Sequence, residues 1–64
     1  MRVYLVKDEG ERKFLGECKN IWDKSFSDVL REAGIKWEFM RIQEYKEGYW
    51  IDFGSYVDFI EVLF

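Results

Sequence analysis

Histidine and proline are absent from this 64-residue sequence, and cysteine occurs once, as Cys18. Without histidine the chain has no Ser-His or Cys-His pair for nucleophilic catalysis and no imidazole ligand for zinc. A single cysteine can form neither an internal disulfide nor a CxxC pair, and Cys18 is expected to be a half-buried structural thiol. We therefore predict a non-enzymatic protein with no cofactor and no metal site, whose fold depends on its apolar core.

Long apolar runs are also missing. The first one is interrupted by Lys7 and Asp8, and no stretch approaches the roughly 18 apolar residues of a membrane span. No linker rich in proline, serine or glycine divides the chain. We expect a single domain over residues 1–64, no association with a membrane and, given the lone free thiol, a cytoplasmic location.

Basic residues are scarce in the last third of the sequence. Residues 1–41 have nine Lys and Arg against eight Asp and Glu, whereas residues 42–64 have only Lys46 against five acidic residues, a net charge of −4. A negative field repels phosphate and attracts basic surfaces. The charge pattern therefore disfavours nucleic acid and predicts a partner protein with a basic surface.

Aromatic residues, by contrast, are abundant: six Phe, four Tyr and three Trp make up 20% of the chain. One small sheet with one helix buries about seven or eight such rings, at roughly 150–250 Å² each. The others are expected either to stand half-exposed with polar tips in water or to form an aromatic interaction surface. Since a second copy of the chain can cover such a surface, a homodimer is also predicted.

The first seventeen or so residues have the pattern of a β-hairpin. Two short apolar-rich runs, residues 2–7 and 12–18, flank Asp8-Glu9-Gly10, in which Gly10 can take a positive φ. Pairing Lys7 with Glu11 would set Tyr4 opposite Phe14 and Val3 opposite Leu15.

A helix is predicted over residues 25–34. Ser25 is the expected N-cap, Gly34 is the expected left-handed residue at the end, and Ile35 is expected to fold back on Leu30. Its apolar stripe, at helical spacing, consists of Phe26, Val29, Leu30 and Ala33. A helix this short is stable only against a sheet.

A second hairpin is predicted from residues 36–45 and 49–53 around Lys46-Glu47-Gly48. With a three-residue turn Tyr45 pairs with Tyr49, and the core side of the hairpin has Trp37, Phe39, Tyr45, Tyr49, Ile51 and Phe53. A two-residue turn shifts the register by one and reverses the side chains of the first strand.

The segment after Gly54 and Ser55 fits two structures. Its alternation suits a strand, while Val57, Ile60 and Phe64 also fit a helical period. The β-branched and aromatic content favours a bend followed by a final strand, which would be an unguarded edge open to a second copy. The predicted fold is thus α+β: a small antiparallel sheet of four to five strands with one short helix packed on one face.

Trp50, Asp52 and Tyr56 share a side of the second hairpin in either register, and we predict that they contact a partner. Glu38 and Glu44 form the rim of this predicted site. A carboxylate pair such as Asp52 and Asp58 occurs in glycosidases, but a domain this small offers little cleft for a sugar.

The predicted function is that of a small acidic interaction module, an inhibitor or regulator that docks a basic surface of a larger protein through an acidic aromatic sheet face. The alternative is single-stranded nucleic-acid binding through exposed rings on the sheet. Against the alternative stand the missing RNA-recognition signature and the scarcity of basic residues, since only Arg41 lies among the aromatics of the second hairpin.

Overall fold

The computed structural model describes all 64 residues and has one helix and one five-stranded sheet. The elements in chain order are β1 (Arg2–Val6), β2 (Arg12–Glu17), α1 (Lys24–Glu32), β3 (Arg41–Tyr45), β4 (Gly48–Asp52) and β5 (Phe59–Leu63). The strand order is β2-β1-β5-β4-β3, and every neighbouring pair is antiparallel. The predicted α+β fold is confirmed.

The first hairpin forms as predicted at its turn and differs beyond it. The Lys7 amide donates to the Glu11 carbonyl at 2.7 Å, and Gly10 has φ 87°. Tyr4 pairs with Phe14 as expected, but Val3 pairs with Gly16. Leu15 is therefore an extra residue on β2, a bulge of the kind that interrupts a ladder on an edge strand.

The N-cap of helix α1 lies two residues earlier than predicted. Asp23, and not Ser25, is the N-cap, and its carboxylate accepts a hydrogen bond from the Ser25 amide at 2.9 Å. The predicted ending is confirmed: Gly34 has φ 75°, and the Ile35 amide donates to the Leu30 carbonyl at 2.9 Å. This bond satisfies one of the carbonyls that a helix end leaves free.

The second hairpin has a two-residue turn, so the three-residue register is wrong. Tyr45 pairs with Gly48, and Ile42 pairs with Ile51. The neighbouring strand β5 explains the position of Gly48, because a Cβ there would lie 1.8 Å from the Val62 carbonyl oxygen. Only glycine allows β4 and β5 to approach this closely.

The first strand of this hairpin is also shorter than expected. Residues 36–40 are irregular, and β3 begins at Arg41. Of the predicted core side, Ile51 is fully buried, and Trp37, Tyr49 and Phe53 pack partly buried against the core. Phe39 is largely exposed, and Tyr45 faces away from the helix because of the register.

The C-terminal segment is a strand, as favoured, but it lies in the middle of the sheet. β5 pairs with β1 on one side and with β4 on the other. The prediction of an unguarded edge strand at this end is therefore wrong; the edges are β2 and β3.

The core lies between α1 and one side of the sheet, which we call the helix face. Its fully or nearly fully buried members are Val3, Cys18, Ile21, Phe26, Leu30, Ile51, Ile60 and Val62. The helix packs closest to β2, where the Val29 methyl groups lie 3.4 Å from the position of a Cβ on Gly16. The other side of the sheet includes Phe14 and Trp50, both of which are exposed.

Candidate functional site

The side of the sheet that faces away from α1 is the candidate functional site, and we call it the outer face. Side chains alternate along each strand, so the residues next to the buried ones point outward. The outer face forms three rows across the five strands: Glu17, Arg2, Leu63, Gly48 and Tyr45; Phe14, Tyr4, Glu61, Trp50 and Gln43; and Arg12, Val6, Phe59, Asp52 and Arg41.

Aromatic rings form two contacting groups on this face. On the β2 side, Tyr4 and Phe14 meet edge-to-face with ring centroids 5.5 Å apart. On the β3 side, Trp50 stacks on Phe59 at 4.2 Å and meets the edge of Tyr45 at 5.9 Å. These are the cross-strand and diagonal neighbours that a sheet brings within reach of large side chains.

The rings remain accessible because nothing covers them. Phe14 is 54% exposed and Trp50 is 42% exposed, while Phe59 and Tyr4 are half-buried. Scattered exposed apolar residues are ordinary, but here the rings contact one another in two groups on the same face. Exposed rings grouped in this way are typical of a binding surface.

A carboxylate lies between the two aromatic groups, and it is fully compensated. Glu61 accepts a hydrogen bond from the Tyr45 hydroxyl at 2.7 Å and forms an ion pair with Arg12, whose guanidinium lies 4.6 Å from the centroid of the Tyr4 ring. Burial, the hydrogen bond to Glu61 and the charge of Glu61 raise the pKa of the Tyr45 phenol. The centre of the outer face is therefore close to neutral despite its carboxylate.

The outer face as a whole is balanced in charge and is not the acidic surface expected from the sequence. Three arginines, Arg2, Arg12 and Arg41, share it with three acids, Glu17, Asp52 and Glu61. The two-residue turn is the reason: it places Arg41 opposite Asp52 on this face and turns Glu44 to the helix face.

The predicted site residues are thus divided between different parts of the molecule. Trp50 and Asp52 lie together on the outer face. Glu38 and the fully exposed Tyr56 line a separate groove of about 630 Å³ between the 36–38 and 53–56 segments. Glu44 lies on the helix face and belongs to neither the outer face nor this groove.

Sequence reasoning missed the half of the outer face that comes from β1, β2 and β5. Tyr4 and Phe14 were predicted to pair, but nothing local indicates that β5 lies between β1 and β4. Without that strand order, Phe59 could not be placed against Trp50, nor Arg12 against Glu61.

The outer face is a broad surface with a shallow pocket beside Trp50. This pocket of about 250 Å³ is lined by Arg41, Gln43, Asp52 and Phe59, which is smaller than the roughly 300–1,000 Å³ of most small-molecule sites. No three His, Cys, Asp or Glu side chains are close enough to hold a metal ion. The one helix is neither long nor apolar enough to cross a membrane.

Comparison with known proteins leaves this surface as the main guide to function. No protein-family model matches the chain, and no curated protein or solved structure matches it either.

Proposed function

We propose that this protein is a non-enzymatic interaction module that docks a protein surface through the outer face of its sheet. The observation that carries the proposal is the pair of aromatic groups on this face, with Trp50 and Phe14 as their most exposed rings. Trp, Tyr and Arg are the residue types most enriched at binding hot spots, and all three occur here.

The composition of the outer face indicates which kind of partner surface would fit it. The centre holds the Glu61 carboxylate, whose charge is met by Arg12 and by the Tyr45 hydroxyl, and aromatic rings lie on either side of it. Enriched aromatic residues, no unpaired charge at the centre and a mixed polar rim are usual features of a protein–protein interface. This favours a partner surface of mixed charge over the uniformly basic surface suggested by the sequence.

The proposal is tested by using the protein as bait in an extract of its source cells. Trp50→Glu puts a charge at the centre of the outer face, and Trp22→Glu is the matched control, since Trp22 is 76% exposed in the loop before α1 and off the sheet. Partners should be lost with Trp50→Glu and kept with Trp22→Glu. Equal capture by both variants would show that the outer face is not the docking site.

Single-stranded nucleic acid is the second candidate. Its support is that Arg2, Arg12 and Arg41 lie on the same face as the rings, more basic side chains than the sequence suggested, and bases stack on such rings. Against it stand the three acids of the same face and the net charge of −3. Anisotropy of labelled oligo(dT) and oligo(U) at low and high salt distinguishes the two candidates: salt-sensitive binding lost in Arg41→Ala would favour nucleic acid.

A further inference from the structure

We propose that the partner of the outer face is a second copy of the same chain, in a two-fold dimer with the two sheets face to face. This inference rests on the proposed function and names the occupant of the same surface. Three properties of the outer face support it: its charge balance, its pattern across the strands and its area.

Charge balance is the first argument. An isologous interface uses one patch twice, so the patch must complement itself. A face for a phosphate chain would be basic, and a face for a basic protein would be acidic. The outer face has three arginines and three acids, and this equal number of opposite charges is what a self-complementary surface requires.

The position of each charge indicates the direction of the two-fold axis. In a face-to-face pair the axis lies in the plane between the sheets. An axis parallel to β5 would exchange β2 with β3 and place Arg12 against Arg41 of the second copy, two like charges. An axis along the middle row, across the strands, instead exchanges the two outer rows and places Arg12 against Glu17 of the second copy.

The same axis brings like rings together. Phe14 and Trp50 belong to the middle row, so each meets its own counterpart, and Arg41 meets Tyr45 of the second copy in a cation–π arrangement. Glu61 also meets its counterpart, and the repulsion is limited because Arg12 and the Tyr45 hydroxyl already hold each carboxylate. Face-to-face packing with the strands nearly aligned is a common arrangement of antiparallel sheets.

The available area predicts a weak dimer. Five strands about 4.8 Å apart and five residues long cover roughly 24 by 17 Å, and overhanging side chains extend the contact to about 500–600 Å² from each copy. The total of about 1,000–1,200 Å² is at the low end of specific interfaces. A dissociation constant in the micromolar range is therefore expected.

The test is sedimentation equilibrium of the full chain between about 1 and 500 μM. Wild type is expected to change from one to two chains per particle across this range. Trp50→Glu and Phe14→Glu each place two like charges side by side at the two-fold axis, where wild type has two rings, and should raise the dissociation constant by at least about 30-fold, the effect of one hot-spot residue. Trp22→Glu should leave it unchanged, and circular dichroism shows whether each variant is folded.

The axis has its own test in a mixing experiment. Glu17→Arg alone sets Arg12 against an arginine at both symmetry-related contacts, and Arg12→Glu alone sets two carboxylates together, so each variant should be more monomeric than wild type. An equimolar mixture restores both opposite-charge contacts only in the mixed dimer. Recovery of dimer on mixing, strongest at low salt, is expected. If Arg12→Glu does not fold, Glu17→Arg still tests the contact by its own loss of dimer.

Two results would overturn the inference. They are a single chain at every concentration, and a dimer that both Trp50→Glu and Phe14→Glu leave intact. If wild type is monomeric but captures a partner that the Trp50→Glu variant does not capture, the dimer is ruled out and the docking function is supported. If Trp50→Glu changes neither the proteins that the bait captures nor the dissociation constant of the dimer, both the dimer and the docking function of the outer face are ruled out.

Discussion

The two faces of the sheet have opposite chemistry. The helix face presents Val3, Ile51, Ile60 and Val62, all without exposed surface. The outer face presents aromatic rings and arginines that remain partly exposed. Aliphatic β-branched residues fill a dry core well, whereas Tyr, Trp and Arg combine apolar area with a polar group that tolerates water. Stability is therefore concentrated on one face, and the capacity to bind is concentrated on the other.

The largest expected effect is on the helix face. Ile60→Ala removes a fully buried side chain from the central strand and should cost about 2–5 kcal/mol. A domain of this size has about 3–10 kcal/mol of stability in all, so the variant should be largely unfolded or close to it. Urea denaturation followed by circular dichroism, at a protein concentration where the chain is monomeric, measures the difference.

Urea denaturation of a variant on the outer face provides the comparison with Ile60→Ala. Trp50→Ala loses the stack on Phe59 and the edge contact with Tyr45 but creates no enclosed cavity. We expect a cost of about 1–3 kcal/mol, since each of the two aromatic pair contacts is worth about 0.5–1.5 kcal/mol. A loss in Trp50→Ala equal to that in Ile60→Ala would mean that the outer face also supports the fold, and the contrast between the faces would fail.

Gly48 is a position on the outer face where adding a side chain should destabilise the fold. Because a Cβ would lie 1.8 Å from the Val62 carbonyl oxygen, Gly48→Ala must separate β4 from β5 and should cost at least about 1–3 kcal/mol. Gly10→Ala is the control: its Cβ would meet nothing within 4 Å, and only the positive φ is strained, at about 1 kcal/mol. A smaller loss at Gly48 than at Gly10 in thermal denaturation would contradict the close approach of the two strands.

The smallest effect is a pH dependence that originates at the centre of the outer face. Burial and Glu61 raise the pKa of the Tyr45 phenol above its ordinary value of 10.0, so folding favours the neutral phenol. This contribution to stability is complete below about pH 10 and is lost as the pH rises through the raised pKa. Tyr45→Phe should therefore lose less stability between pH 9 and 11 than wild type, in urea titrations at each pH.

Tyr56→Phe is the matched control for that titration, because Tyr56 is fully exposed in a loop. Its free energy of unfolding should change with pH as that of wild type does over the same range. That change includes the part due to the buried Cys18 thiol, whose pKa is raised by burial. Identical slopes for Tyr45→Phe and Tyr56→Phe would mean that the Tyr45–Glu61 contact does not favour the neutral phenol.

Much of the fold could be predicted because its signals are local. The Asp8-Glu9-Gly10 turn, the Gly34 helix ending and the final strand each follow from residues within a few positions of one another. The N-cap was misplaced by two residues because both Asp23 and Ser25 are good caps. The candidate site was predicted less well: only Trp50 and Asp52 of its five residues lie together on the outer face.

By itself, the sequence determined the secondary-structure types, the single helix with its stripe of apolar residues and the excess of rings over what one small core can bury. The tertiary structure alone decided that β5 lies between β1 and β4, and therefore which rings and arginines meet on the outer face. It also decided the register of the second hairpin, since the contact that excludes a side chain at Gly48 comes from Val62, fourteen residues further along the chain. The physical reason is the same in each case: pairing between distant strands depends on contacts with no local signal, whereas turns, caps and alternation are encoded in neighbouring residues.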